Sequence, residues 1–252
     1  MSDQPENFRD PYQVYEVADN IFWIGFPDRS AGFSNNPYLI KVGHEAVLID
    51  PGSLVHYHVV AKKVMSLVEP HQIRTIIAQH QDPDLCASIP RFEALIERPI
   101  RVVVPPWAAM FMPYYGITSD LIKPGDGETL TFGGRPFKVF YTPYVHFVQT
   151  MVTWDPTTRT LFSSDIGAGL TTDWRLYADE QYVEDMRAWA EPYVGDQKAW
   201  ESAIEFIRSL EPDRICPQHG CIIEGDVDHY LDAMKDFKVG SELGAGERRA
   251  DS

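Results

Sequence analysis

Four short apolar segments of this chain each lead, within a few residues, into a histidine or an aspartate. The segments are Ile73–Ala78, Phe137–Thr142, Thr160–Ser163 and Arg214–Cys216, and the polar residues after them are His80, His146, Asp165 and His219. The segments are rich in β-branched and aromatic residues, which predicts strands. Because α/β folds gather their sites at strand ends, the pattern predicts a mixed α/β fold with a polar site at one edge of its sheets.

Helical periodicity marks the segments that precede two of these strands. Val60, Val64, Leu67 and Val68 form one apolar stripe, and Trp200, Ala203, Ile204, Ile207 and Leu210 form another. Pro70 and Pro212 lie just beyond and predict where these helices end. A third helix is predicted over Gln181–Ala190, and further strands over Ile21–Phe26, Tyr38–Val42, Ala46–Ile49, Arg101–Val104 and Thr150–Trp154. Helices interspersed among many strands favour sheets that helices cover.

The segment His80-Gln81-Asp82-Pro83-Asp84 carries three potential metal ligands at alternate positions. In extended backbone, alternate side chains point to the same side, so we expect His80, Asp82 and Asp84 to converge. A single acidic strand end of this kind is as often structural as functional. The histidines and the aspartate that follow the other strands make a metal site the stronger interpretation.

Charge and composition remove several classes of function. The 252 residues carry a formal net charge of −15, which argues against nucleic-acid binding. The polar N-terminus does not resemble a signal peptide, and no apolar run approaches the roughly 18 residues of a membrane helix, so we expect a cytoplasmic protein without a membrane partner. Three cysteines, Cys86, Cys216 and Cys221, do not predict a disulfide framework and are expected to be buried thiols.

The complete set resembles a known family. The order H-x-[E/D]-x-D, then His, Asp and His is similar to the diiron domain of flavodiiron proteins, and still more to the stand-alone oxygen-binding diiron proteins related to them. The segments Asn36–Ile40, Val47–Gly52 and Leu161–Asp165 also match. The resemblance implies an α/β metallo-β-lactamase-like four-layer αβ/βα sandwich, which we place over residues 13–239. Composition predicts an N-terminal arm (1–12) before it and a disordered tail (240–252) after it.

The resemblance also implies the roles of six residues. His80, Asp82 and His146 would hold one metal, Asp84 and His219 the other, and Asp165 would bridge both. Two positions depart from the family: Asp82 stands where Glu is usual, and Leu85 stands where His is frequent. The second metal is therefore expected to have fewer protein ligands. A vestigial site without metal is the opposing interpretation, but all six positions keep side chains that can ligate.

Three imidazoles and three carboxylates suit redox-active iron or manganese better than zinc, and the resemblance implies two iron ions, with manganese or zinc as alternatives. The hydrolases of this fold carry H-x-H-x-D-H, a nitrogen-rich set that suits zinc. Tyr144 and Cys86 lie beside predicted ligands and are candidates for contact with a bound gas or for electron supply, although packing is the commoner role for both. Asp50 is expected to hold the site loops. His44, His56, His58, His71 and His229 are expected outside the metal site.

Two functions follow from the resemblance. The first is a diiron protein that binds dioxygen or another diatomic ligand as a sensor or carrier, or that reduces dioxygen or nitric oxide slowly with an external electron donor. The second is a di-zinc hydrolase. No FMN is expected in this chain, because no Gly-rich phosphate loop is present and only about 33 residues follow His219. The family implies a homodimer, and a signalling partner if the protein is a sensor.

Overall fold

Two mixed β-sheets and the helices outside them form the fold. The structure is a computed structural model that describes residues 9–28, 32–171 and 173–240. Residues 1–8 of the predicted arm and 241–252 of the predicted tail lie outside these ranges. Within them, no helix is long and apolar enough to cross a membrane.

The first sheet has seven strands and the second has six. In chain order the strands are β1 (Tyr15–Ala18), β2 (Ile21–Trp23), β3 (Phe26–Asp28), β4 (Phe33–Asn35), β5 (Tyr38–Val42), β6 (Glu45–Ile49), β7 (Ile73–Ile77), β8 (Arg101–Val103), β9 (Asp120–Ile122), β10 (Thr129–Phe132), β11 (Arg135–Thr142), β12 (Thr150–Asp155), β13 (Thr160–Phe162), β14 (Arg214–Cys216) and β15 (Ile223–Glu224). The first sheet has the order β1-β2-β5-β6-β7-β8-β9, the second runs from β10 to β15 in sequence, and β3 and β4 form a separate hairpin.

Seven α-helices accompany the sheets within the described residues. They are α1 (Tyr57–Leu67), α2 (Pro83–Cys86), α3 (Ile89–Ile96), α4 (Pro106–Ala109), α5 (Tyr182–Tyr193), α6 (Gln197–Leu210) and α7 (Val227–Lys235), and 3-10 turns cover Pro70–Gln72 and Met112–Tyr115. The helices predicted before β7 and β14 and the one predicted from Gln181 are confirmed as α1, α6 and α5. The predicted strand Ile21–Phe26 is wrong in one respect: it divides into β2 and β3, which belong to different sheets.

Alternation along the strands separates three apolar clusters and explains the layers. In β5 and β13, Ile40 and Phe162 belong to an inner cluster that both sheets share. Their neighbours Leu39 and Leu161 belong to two outer clusters, which include Val60 and Val64 of α1 on the first sheet and residues of α5, α6 and α7 on the second. This is the predicted sandwich of helices, sheet, sheet and helices.

Hydrogen bonds join the two sheets at one edge. The Met151 amide donates to the Gln79 carbonyl at 2.9 Å, and the Asn36 amide donates to the Gln218 carbonyl at 2.8 Å. The Tyr38 hydroxyl also donates to the carbonyl of Pro217 at 3.2 Å. Strands β7, β11, β13 and β14 all end near these contacts, which brings their polar extensions together.

Trp200 of α6 offers a test of the outer cluster on the second sheet. It is 1% exposed, its indole donates to the Met234 carbonyl at 2.8 Å, and its ring stacks on Phe237. We expect Trp200→Ala to lower the free energy of unfolding by about 3–5 kcal/mol in urea denaturation, because a large buried ring leaves a cavity. Trp107→Ala, at a side chain 59% exposed, should change it by no more than about 0.5 kcal/mol. Equal effects would contradict the assigned packing.

Candidate metal centre

Each predicted site residue lies just beyond a strand. His80 follows β7, His146 follows β11, Asp165 follows β13 and His219 follows β14. Strands β11 and β13 are both antiparallel to β12, and β13 is parallel to β14, so these three strands end at the same edge. The strand-end pattern of the sequence therefore brings the four residues together in space.

The local conformation predicted for Asp82 and Asp84 is wrong. The chain is not extended through this segment, because Asp82 is the N-cap of the short helix α2 and Asp84 lies in its first turn. Pro83 takes the first helical position, where its fixed φ suits a helix and its missing N–H is no loss. The helical turn directs the two carboxylates to different histidines instead of to one point.

The carboxylate of Asp165 lies between two groups of side chains. Its Oδ2 atom is 3.4 Å from His80 Nε2 and 3.1 Å from His146 Nε2, and its Oδ1 atom is 3.7 Å from His219 Nε2. Asp82 Oδ2 lies 3.6 Å and 3.4 Å from the same two atoms of His80 and His146. Asp84 Oδ2 lies 3.1 Å from His219 Nε2.

Both oxygens of Asp165 lack a hydrogen-bond donor although the residue is only 1% exposed. A buried carboxylate without hydrogen bonds is costly unless cations compensate its charge. Ligand atoms of His80, His146 and Asp165 lie within 4.8 Å of one another, a spacing that could hold a metal ion. The second oxygen faces His219 and Asp84, so the donors present fit two cations bridged by one carboxylate.

The carboxylates control the protonation of the histidines in the metal-free chain. Burial opposes the charged imidazole, but the carboxylates of Asp165 and Asp82, 3.1 Å and 3.4 Å from its Nε2 atom, outweigh it and raise the pKa of His146 to about 10. Burial likewise opposes charge on His219, but Asp84 raises its pKa to about 9. The pKa of Asp82 is lowered despite its burial, because the imidazoles of His146 and His80 lie beside its carboxylate.

Hydrogen bonds at the far ring nitrogens orient two of the histidines. His219 Nδ1 lies 2.7 Å from the Ser34 carbonyl, which can only accept, so Nδ1 carries the proton and Nε2 is left to face Asp84 and Asp165. His80 Nδ1 shares a hydrogen bond of 2.9 Å with Ser164 Oγ. This arrangement is typical of metal-ligating histidines, whose outer nitrogen is fixed by a neighbour.

Ser164 connects three of the site loops. It precedes Asp165, contacts His80 through its hydroxyl, and accepts a hydrogen bond of 2.7 Å from the Gln218 amide beside His219. Its φ of +53° is unusual for a residue with a side chain. Strained backbone of this kind persists where surrounding contacts over-determine it, as these contacts do.

Gly220 and Asp50 hold the loops from either side. A Cβ atom at Gly220, whose φ is +81°, would lie 2.2 Å from the Tyr182 hydroxyl, so only glycine fits beside His219. The carboxylate of Asp50 accepts hydrogen bonds from the amide (2.8 Å) and the side chain (2.9 Å) of Gln79, next to His80. Burial is the main cause that raises the pKa of Asp50 to about 7.

The other residues considered in the sequence lie outside the cluster of six predicted ligands. Cys86 is buried and its thiol donates to the His80 carbonyl at 3.1 Å, so it supports the loop, and burial raises its pKa well above the usual range. Tyr144 is 54% exposed. Leu85 is fully buried in the outer cluster of the first sheet. His56 faces Asp28 at 3.4 Å.

Sequence reasoning missed the aromatic residues that α5 adds to the site. The Tyr193 ring lies edge-on to His146, with centroids 4.6 Å apart, and the Trp189 ring lies 6.2 Å from His146. No spacing in the sequence connects this helix to His146. A cavity of about 290 Å³ lies between α5 and the pair Asp84 and His219.

A family model described as ODP family beta lactamase matches residues 33–220, which include all six predicted ligands. The chain belongs to this family. Among curated relatives, it is 26% identical to a rubredoxin-oxygen oxidoreductase of Megalodesulfovibrio gigas over 84% of its length, and 22% identical to an uncharacterized protein of Methanocaldococcus jannaschii over 90%. It spans only 58% and 61% of those two proteins.

Solved structures of ODP and of flavodiiron proteins share the fold. A mutant flavo di-iron protein from Thermotoga maritima is 26% identical with a TM-score of 0.79, and the match covers 88% of this chain and 60% of that one. A structure described as a peroxy diiron species of the chemotaxis sensor ODP is 24% identical with a TM-score of 0.77, covering 90% and 96%. These matches confirm the predicted metallo-β-lactamase-like fold.

The raised histidine pKa values predict that metal loading releases protons. At pH 7 both His146 and His219 are protonated in the metal-free chain, and a cation at their Nε2 atoms must displace those protons. We expect about two protons from this pair, measured by calorimetry in buffers of different ionisation enthalpy. Because the folded pKa values are raised, their contribution to metal-free stability is complete below about pH 6.5 and lost as pH rises through about 9 to 10. Metal binding without proton release would contradict the assignment.

The role of Ser164 predicts a loss of metal affinity. Ser164→Ala removes the partner of His80 Nδ1, and comparable losses around metal sites cost about 10–100-fold in affinity. Ser163→Ala is the matched control, because Ser163 is also buried but donates to the Ile166 carbonyl instead. In chelator competition, the metal affinity should fall for Ser164→Ala alone. Equal affinities of the two variants would refute the orienting role.

Proposed function

We propose that this chain is a non-haem diiron protein that binds dioxygen. The observation that carries the proposal is the buried Asp165 carboxylate, whose two oxygens lack hydrogen bonds and face two separate His/Asp groups. Membership of the ODP family and the likeness to diiron proteins support it. When bound, two iron ions would supply redox chemistry and affinity for dioxygen.

The distances between the His and Asp side chains support the following ligand assignment. His80, Asp82 and His146 would hold one iron, Asp84 and His219 the other, and Asp165 would bridge them. The residues around them orient the imidazoles, keep their Nε2 atoms directed inward and exclude water from His80, whose side chain is 1% exposed. Contacts of the metal-free chain support each of these proposed roles.

Ligand chemistry favours iron over zinc. Three carboxylates oppose the charge of two divalent ions almost completely, and this oxygen-rich set suits redox-active iron better than the nitrogen-rich set of the zinc hydrolases. The similar proteins named above as diiron proteins and as an oxidoreductase agree with this choice. A di-zinc hydrolase is therefore the less favoured alternative.

We further propose a sensing or oxygen-binding role over rapid reduction, because the match to the structure described as a chemotaxis sensor spans 96% of that chain, whereas the match to the rubredoxin-oxygen oxidoreductase spans 58% of that protein. Slow reduction of dioxygen or nitric oxide would use an external electron donor, and sensing would use a signalling partner. One relative is named a chemotaxis sensor and another a rubredoxin-oxygen oxidoreductase, so both roles have a precedent. A homodimer, testable by light scattering, and a cytoplasmic location are parts of the same proposal. The three free cysteines suit a reducing compartment.

Elemental analysis and anaerobic spectra test the proposal together. We expect protein purified without added metal to hold two irons per chain and to develop a long-lived absorption band on exposure to air. Asp165→Asn should lose both ions, because one carboxylate serves both positions. Asp155→Asn is the control, because Asp155 is equally buried but pairs with Arg135 outside the site. Two zinc ions with hydrolytic activity, or full metal retention by Asp165→Asn, would overturn the proposal.

A further inference from the structure

The cavity beside α5 is open to only one half of the site. Asp84 and His219 form one wall, and Leu170, Trp189, Pro192 and Tyr193 are among the residues of the other. Among the described residues, the lining does not include His80, Asp82 or His146. The predicted ligands that border this cavity are therefore Asp84 and His219.

The cavity is far larger than a diatomic gas requires. Its volume is about 290 Å³, whereas one water molecule takes about 30 Å³ of liquid and a buried cavity of about 150 Å³ can hold benzene. Leu170 is 40% exposed and Tyr193 is 55% exposed, so the cavity is reached from solvent. The space beyond the metal position is sufficient for an organic group of the size of an aromatic ring.

The two walls of this cavity favour a ligand with one apolar end and one anionic end. Leu170, Trp189 and Pro192 offer apolar surface, and a ligand gains affinity there by burying an apolar group against it. The opposite wall carries the metal position, where three carboxylates against two divalent ions leave one positive charge for an exogenous ligand to balance. The chain as a whole carries −15, which disfavours ligands with several negative charges. One negative head on an apolar body meets these conditions.

We propose that this cavity binds a small monocarboxylate with an aromatic or branched apolar body. Its carboxylate would bind the metal that Asp84 and His219 hold, and its apolar body would lie against Leu170, Trp189 and Tyr193. The inference rests on the proposed metal centre. Such a ligand would compete with dioxygen for the open position, which would make the centre responsive to an organic metabolite as well as to a gas.

Zinc-loaded protein allows the binding to be measured without redox chemistry. Benzoate and acetate are the probes, because they share a carboxylate and differ in the apolar ring. We expect calorimetry to give benzoate about tenfold tighter binding or more, from burial of the ring. Metal-free protein should lose this binding, because the carboxylate then faces Asp84.

A variant that fills the cavity provides the decisive comparison. Ala188 lines the cavity and is exposed on α5, so Ala188→Phe should occupy the space of the ring without disturbing the core. Benzoate binding should fall to the level of acetate, with acetate binding and metal content unchanged. Ser202→Phe, an exposed site on α6, is the matched control and should keep the preference.

The possible results separate this inference from the proposed function. Two metals per chain with equal affinity for benzoate and acetate would overturn the inference and leave the diiron proposal intact. A benzoate preference that survives in Ala188→Phe, or in metal-free protein, would also overturn it. Failure to take up two metals would overturn both.

Discussion

The buried carboxylate of Asp165 is the constraint on which the surrounding structure depends. A carboxylate at 1% exposure without hydrogen bonds cannot remain charged unless positive groups surround it. In the metal-free chain three histidines serve that purpose, and the pKa of Asp165 stays below its usual value despite burial because His80, His146 and His219 lie around it. We propose that the same geometry accepts two metal ions in place of the protons, so that one electrostatic requirement explains both the raised histidine pKa values and the proposed centre.

The sandwich makes this burial achievable because it places polar loops where two sheets meet. Strand ends from both sheets supply the residues, and the contacts of Asn36 and Tyr38 with the loop before His219 keep the sheets in register at this edge. Ser164 and Asp50 then fix individual loops with buried hydrogen bonds. A site assembled from four separated segments needs such connections, since no segment positions more than three of the six residues.

Strand ends could be predicted from sequence because the signal is local: an apolar run stops and a ligand-type side chain follows. The conformation of residues 80–84 could not be predicted from alternation, because Pro83 at a first helical position starts α2 and separates the directions of Asp82 and Asp84. The division of Ile21–Phe26 depends on a distant segment. A Cβ at Gly25 would lie 2.2 Å from the Asn35 carbonyl, and this close approach is not visible in the local pattern. The placement of Tyr193 against His146 is equally non-local.

The two halves of the site differ in a way that the ligand list alone does not reveal. His80 is 1% exposed and lies beside the loops that Asp50 and Ser164 hold, whereas Asp84 and His219 border the cavity beside α5. Leu85 contributes to this difference, because it packs into the outer cluster at a position where the family frequently has histidine. We propose that the half beside the cavity exchanges small molecules. In the proposed sensing role, this position would respond to a ligand while Asp165 would keep the two metals together.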